Sequence, residues 1–419
     1  MKLLQRFYRA TVILLYLSSS ISLYAMVMDN RYFPWFPHVY NGTDHRHGCL
    51  YVEPFFITAN SAWRTTPTTR EREFGYPNLQ GTLDYSQLAK ALMLDGYENP
   101  IPAQWQYVNP FPVDMPGSFE GQGLSLAGYV PLTKHIGIGG SLFFLRLVAQ
   151  ANLIPGADTA TKLNLAVAGN MAQFNELTKT FESIVGTQDG YWSQTGVSDI
   201  ELYIKGFDVQ EYMYWCRKID KSMTVGLFIP TGVQSSPNFI GSVPFGGNGF
   251  WGWYLSQAIE IELKEDWKAG FEWRIEKRFA KTVEHRICVA QESNLFAPVI
   301  GPVYINPGAT AAFVPYAALE NIREGLGILF KYTYAVHEVD YFQDKREVQI
   351  PAANFINMAN NSRWAQEYIT LELLYDLSFK HSWTYKPLCT LSWDIPLNVL
   401  GSRGASKTTR VAFGVIVDF

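Results

Sequence analysis

The chain carries little charge for its length. Of its 419 residues 17% are Asp, Glu, Lys or Arg, and the net charge is only −4. No basic stripe stands out among the scattered charges, which argues against nucleic acid as a partner. Cysteine is scarce too: Cys49, Cys216, Cys288 and Cys389 lie far apart with no CxxC spacing. Neither a zinc site nor a dense disulfide framework is expected, while one long-range disulfide in an oxidising compartment stays open. Beyond the first 25 residues the chain has no run of about eighteen uninterrupted apolar residues, so no transmembrane helix is expected. Pro/Ser-rich linkers, repeats and low-complexity tracts are also missing, which leaves no obvious seam between soluble domains.

What the chain does have is aromatic residues, 15% of the total, spread through a sequence that is 47% hydrophobic. A heavy aromatic load without long apolar runs fits a closed β-barrel, whose lipid-facing residues occupy alternate positions. The first residues, "MKLLQRFYRATVILLYLSSSISLYA", place Lys2, Arg6 and Arg9 before an apolar stretch from Thr11 to Leu17, with Leu23 and Ala25 at a small-residue exit. This order predicts a cleaved signal peptide over 1–25 and export from the cytoplasm. Residues 26–47 are expected as a periplasmic N-terminal segment.

Alternation is clearest in "GVSDIELYIKGFDVQEYMYWCRKIDKSMTVGLFIPTG". Ile200, Leu202 and Ile204 oppose Asp199, Glu201 and Lys205, "CRKIDKS" reads as the turn, and Met223, Val225, Leu227 and Ile229 follow on one face. In "GFWGWYLSQAIEIELKEDWKAGFEWRIEKRF", Trp253, Ile259, Phe271 and Trp273 share the apolar face. Further strands are expected at 48–58, 119–131, 135–149, 313–322, 325–341, 364–377, 381–394 and 408–419. With the two hairpins this makes about twelve, an even number as single-chain bacterial barrels require. The range is ten to fourteen, because "VPYAALENIREG" could instead be a helical turn.

Short polar turns ("PLTKH", "CRKIDKS", "KEDW", "NIREG", "LSFKHSW") alternate with long connections, notably 60–118, 150–196 and 281–312. Short periplasmic turns and long external loops give outer-membrane barrels the same asymmetry. Two loop helices are expected, one within 161–186 and a short one at "YSQLAKALML". The first either folds over the barrel mouth or packs on neighbouring loops. The fold class is therefore all-β, a transmembrane antiparallel up-and-down barrel over 48–419.

With this signal, this strand and turn alternation and the final "VAFGVIVDF", the chain resembles a Gram-negative outer-membrane β-barrel protein of the porin-like type. The resemblance implies residence in the bacterial outer membrane, contact with its lipid, and a terminal strand read by the barrel assembly machinery through Phe413, Val415, Val417 and Phe419.

If the apolar faces meet lipid, the opposite faces line a lumen: Glu53, Asp199, Glu201, Lys205, Glu260, Glu262, Glu272, Arg274, Glu276, Arg278, Lys331, Glu372, Lys386 and Arg410. Mixed charges on the wall of a narrow passage suit small polar solutes or ions, because they replace part of the lost hydration. Alternatively Arg274 and Arg278, next to Glu272 and Glu276, pair and close the passage. The expected function is passive or facilitated diffusion of small hydrophilic solutes. The alternative is a non-conducting adhesin, receptor or structural anchor working through its external loops.

No catalytic residue is expected: His381 and Ser382 in "FKHSW" fall in a turn, and adjacent strand residues point to opposite faces. His38, Asp44, His45 and His47 are irregularly spaced for a metal, so neither a metal nor a cofactor is expected.

Overall fold

The computed structural model describes residues 24–26, 30–34, 36–38 and 47–419, apart from 67–68, 82, 188–189, 213–215, 265 and 380–384. The signal segment up to Leu23, Asp44 and His45, and the His381–Ser382 pair lie outside the described residues.

Twelve antiparallel strands close into one barrel. In chain order they are β1 Cys49–Ala59, β2 Gly117–Pro131, β3 Ile136–Ala151, β4 Ile200–Glu211, β5 Lys218–Ile229 and β6 Gly252–Lys264. The second half comprises β7 Trp267–Arg278, β8 Ala309–Arg323, β9 Leu326–His337, β10 Trp364–Asp376, β11 Lys386–Leu397 and β12 Thr409–Asp418. Each pairs with the next, and β12 pairs with β1 to close the wall. The doubtful stretch 313–322 lies within β8, so the count stays at twelve.

Strand alternation sets inside from outside. Leu202, Ile204, Val225, Leu227, Val411 and Phe413 stand exposed, while the residues between them are buried. Apolar side chains on the outside of a closed barrel make its lipid-facing surface. One register differs from the sequence reading. Most of "CRKIDKS" is strand rather than turn, because the β4–β5 ladder runs on to Glu211 opposite Lys218 and carries Asp220 and Ser222 onto the inner wall.

The strand next to β3 is broken in two. β4 pairs with β3 only over Ile136–Ser141, and a separate strand, Gly190–Val197, pairs with Phe144–Ala151. Ser198 spans the break: its N–H donates to the Phe143 carbonyl at 2.8 Å, and its hydroxyl accepts from the Phe143 N–H at 3.0 Å.

All long connections gather at one end of the barrel, the loop end. There α1 Tyr85–Leu94 begins at Asp84, whose carboxylate accepts from the Ser86 and Gln87 N–H groups. Next come α2 Ala157–Lys162 and α3 Ala168–Val185, which stops at Gly186 in the left-handed region (φ 68°), where glycine costs least. α3 packs Phe174, Leu177 and Phe181 against Tyr85, Leu88, Phe111 and Leu295, so its apolar face is covered by neighbouring loops. α4 is Phe355–Ser362.

The long connection at 281–312 contributes Lys281–Ile287 and Val299–Asn306 to a three-stranded sheet with Tyr341–Asp344. The β-branched residues in "KTVEHRI" and "VIGPVYIN" are the signal that could have revealed it. All four cysteines are free, so the open possibility of a disulfide is not realised.

The N-terminal stretch Asn30–Pro34 sits at the loop end against the inner wall. Phe33 is fully buried, 5.8 Å from Phe119 between ring centroids. Asn30 donates to the Pro244 carbonyl at 3.1 Å, and Ser406 donates to the Tyr32 carbonyl at 2.5 Å. Burial of Phe33 and satisfaction of these backbone groups hold the stretch there. Gly48, fourteen residues beyond Pro34 by numbering, pairs with Phe419 at the opposite end of the wall.

Candidate functional site: the barrel interior

The inner wall changes character along its length. Towards the loop end β1–β3 present Phe55, Ile57, Phe119, Phe143, Leu145 and Leu147, which cluster with Phe33, Tyr76, Trp192 and Phe245. Away from that cluster the wall is polar. Twelve of the fourteen residues assigned to a lumen are buried there: Glu53, Asp199, Glu201, Lys205, Glu260, Glu272, Arg274, Glu276, Arg278, Lys331, Glu372 and Arg410. Glu262 is partly exposed and meets Arg217 at 3.3 Å. Lys386 does not join them: as the first residue of β11 it reaches solvent at the turn end of the barrel.

Some of the charges pair between adjacent strands. Arg410 lies between Glu53 (3.1 Å) and Asp394 (2.5 Å), and Lys331 meets Glu372 at 2.8 Å. Lys268 lies 2.6 Å from Glu320 and 3.8 Å from Glu260, which also accepts the Tyr316 hydroxyl at 2.9 Å. Two pairs reach further. Arg274 and Arg278 on β7 meet Glu201 (3.5 Å) and Asp199 (3.0 Å), at and just before the start of β4, across the inner faces of β5 and β6. Arg274 also stacks on Tyr254 at 3.5 Å from the ring centroid, and Arg278 on Phe228 at 4.1 Å. Each guanidinium thus gains a π-face as well as a carboxylate.

Tyr254 can lie flat on the wall because its cross-strand partner is Gly226, where a Cβ would stand 2.1 Å from the ring. An aromatic residue covering a glycine on the neighbouring strand both fills the gap and keeps the ring off the barrel axis.

A second set of interior residues has polar atoms without a hydrogen bond. Both carboxylate oxygens of Glu272 lack a hydrogen-bond partner among the described residues, as do the hydroxyls of Ser222, Thr224 and Ser256. These four form one patch: Thr224 faces Ser256, Ser222 faces Ala258, and Ala258 faces Glu272. The hydroxyls of Thr390 and Ser392 on β11 and, further along the wall, the Gln366 amide on β10 likewise lack a hydrogen-bond partner among the described residues. Apart from Glu272, sequence reading had missed these residues because it selected for charge. Their signal is simply the inward parity of the strand.

No protein-family model and no curated protein matches the chain. Among solved structures, an outer membrane channel from Pseudomonas putida F1 is similar with a TM-score of 0.50 at 12% identity, over 92% of this chain and 99% of that one. Weaker likenesses include the transport unit of the autotransporter AIDA-I from Escherichia coli (TM-score 0.37, 6% identity, 90% and 91% covered). The Pseudomonas putida toluene transporter TodX is another (TM-score 0.31, 10% identity, 89% and 88% covered). With its closed wall of twelve antiparallel strands, apolar outside and charged inside, the chain has the fold of a Gram-negative outer-membrane β-barrel protein.

Proposed function

We propose that the protein is an outer-membrane channel for small hydrophilic solutes or ions. The observation that carries this reading is the unpartnered polar patch of Glu272, Ser222, Thr224 and Ser256 on the inner wall. An unpaired carboxylate facing an apolar interior would cost several kcal/mol, roughly, and each hydroxyl about 1–3 kcal/mol. Along a hydrated path the same groups are solvated and can replace part of a permeant's water shell. In this reading the ties from Arg274 and Arg278 narrow the passage on the β4–β7 side, and the Asn30–Pro34 stretch with the loops limits entry. Outer-membrane lipid would cover the apolar outside, and the barrel assembly machinery would insert the chain.

One observation favours the non-conducting adhesin, receptor or anchor instead: the inward charged side chains are nearly all buried, which is the packing of a closed barrel. Conductance of the purified protein in a planar bilayer separates the two. A channel gives discrete steps, and Glu272→Gln shifts its permeability ratio towards anions, because one negative charge leaves the wall. A correctly folded barrel that never conducts sinks the channel reading.

A further inference from the structure

At the loop end a cavity of about 310 Å³ opens between the N-terminal stretch, the connection 234–250, the loop sheet and the first residue of β10. The volume is at the low end of the usual range for small-molecule sites, about 300–1,000 Å³. Its apolar lining combines the aromatic residues Tyr32, Phe250, Phe342 and Trp364 with aliphatic ones such as Leu295 and Ile305.

Two guanidiniums set the charge of this cavity. Arg286, 2% exposed, spends its donors on neutral acceptors: the carbonyls of Pro237 (3.0 Å), Ala297 (2.9 Å) and Val185 (3.0 Å), with Asn238 Oδ1 at 3.5 Å. Arg31 does likewise, donating to the carbonyls of Leu79 (3.0 Å), Asn361 (2.7 Å) and Ser362. Among the described residues neither guanidinium has a carboxylate within ion-pair distance, whereas Arg278, which also lines the cavity, is paired with Asp199. Two lining carboxylates offset this only in part. Glu284 is exposed, and its field is screened by solvent. Asp340 is engaged by His337 at 3.0 Å and by the Gly308 N–H at 2.7 Å.

Carbonyl dipoles hold the arginines in place without neutralising them, and Asp340 offsets the charge of Arg31 only in part, so a net positive potential faces the cavity. Donors for an anion are at hand in the connection 234–250. Asn248 accepts at Oδ1 from the Ser235 N–H (2.9 Å) and hydroxyl (3.1 Å), which leaves its amide N–H₂ to donate, and the Gln234 amide lines the same wall.

We propose that this cavity binds a small organic carboxylate, an aromatic or short-chain monoanion, with its carboxylate in the field of Arg31 and Arg286 and its body among the aromatic residues. Binding is independent of whether the barrel conducts.

The test uses the full chain folded in detergent micelles at neutral pH and low salt, with benzoate and its neutral analogue benzamide as calorimetric probes. Benzoate is expected to bind about tenfold more tightly than benzamide, since only it gains the Coulomb attraction. Asn248→Asp replaces an amide donor at the exposed edge of the cavity with a carboxylate. It should weaken the preference for benzoate, because the carboxylate loses a donor there and meets a like charge. Arg31→Gln should reduce the preference, and Arg31→Lys, which keeps the charge, should restore it. Equal affinity for the two probes, binding of neither, or a preference undiminished by both Asn248→Asp and Arg31→Gln in heat-modifiable, folded protein overturns the proposal.

Discussion

Arg274 on β7 reaches Glu201 on β4 at 3.5 Å, passing over β5 and β6, which separate them in the wall. The guanidinium is 1% exposed and rests on the Tyr254 ring, while Glu201 also accepts the Ser141 hydroxyl at 3.2 Å. Arg274→Ala should lower the unfolding free energy by about 3–5 kcal/mol, because it strands a buried carboxylate. Arg274→Met combined with Glu201→Leu should recover part of that loss but not all of it, because Arg274 Nε also meets the buried Glu276 carboxylate at 3.2 Å, which loses this partner in both variants. Urea titrations in micelles read both; a double variant no more stable than the single one would show that the pair is not the source of the cost.

Phe271 faces outward in the middle of β7, 5.9 Å from Phe313 between ring centroids. Phe271→Arg should destabilise the inserted barrel by about 2–4 kcal/mol if the site lies at the bilayer midplane. Glu262→Gln, near the turn end of β6 and partly exposed beside Arg217, should leave folding nearly intact. Folding of both variants into lipid vesicles gives the comparison. A reversed order would mean that the face assignment of this hairpin is wrong by one residue.

Phe419 exchanges backbone hydrogen bonds with Gly48, at 2.9 and 3.0 Å, and its ring lies over that glycine. Deleting Phe419 removes this closing pair and the terminal aromatic residue. The expected outcome is a lower assembled yield in cells, with folding of the purified variant into micelles close to normal. An equal deficit in both settings would assign the loss to the closing hydrogen bonds rather than to recognition by the assembly machinery.

His285 lies in the loop sheet, outside the barrel wall. Burial, and then the charge of Arg286, push its imidazole from an ordinary 6.5 down to about 4, with Asp340 acting weakly the other way. Between these values the unfolded chain takes up a proton that the folded sheet refuses, so stability is full above pH 6.5 and falls as the pH drops towards 4. Hydrogen exchange over 281–287 should accelerate as the pH is lowered through that window, after correction for the intrinsic rate. His285→Gln should flatten the dependence, and an unchanged slope would assign it to other groups.

The sequence by itself determined the wall. Strand parity at Ile200–Lys205, at Trp267–Arg278 and at Arg410–Phe419 is a local property of the extended backbone, so apolar alternation fixed both the strands and their faces. Turn residues fixed most of the connections. The misplaced turn at "CRKIDKS" shows the limit of this reading, because polar residues at 218–222 look the same in a turn as on an inner wall. What only the tertiary structure decided is everything that crosses the barrel. Glu201 and Arg274 are 73 positions apart, and their meeting depends on the curvature of four strands closing on one another. The same holds for Asn30–Pro34, whose place beside Phe119 and Ser406 has no signature in its own residues. It also holds for Glu272, since whether a buried carboxylate has a partner depends on which distant side chains closure brings within 3 Å or so of it.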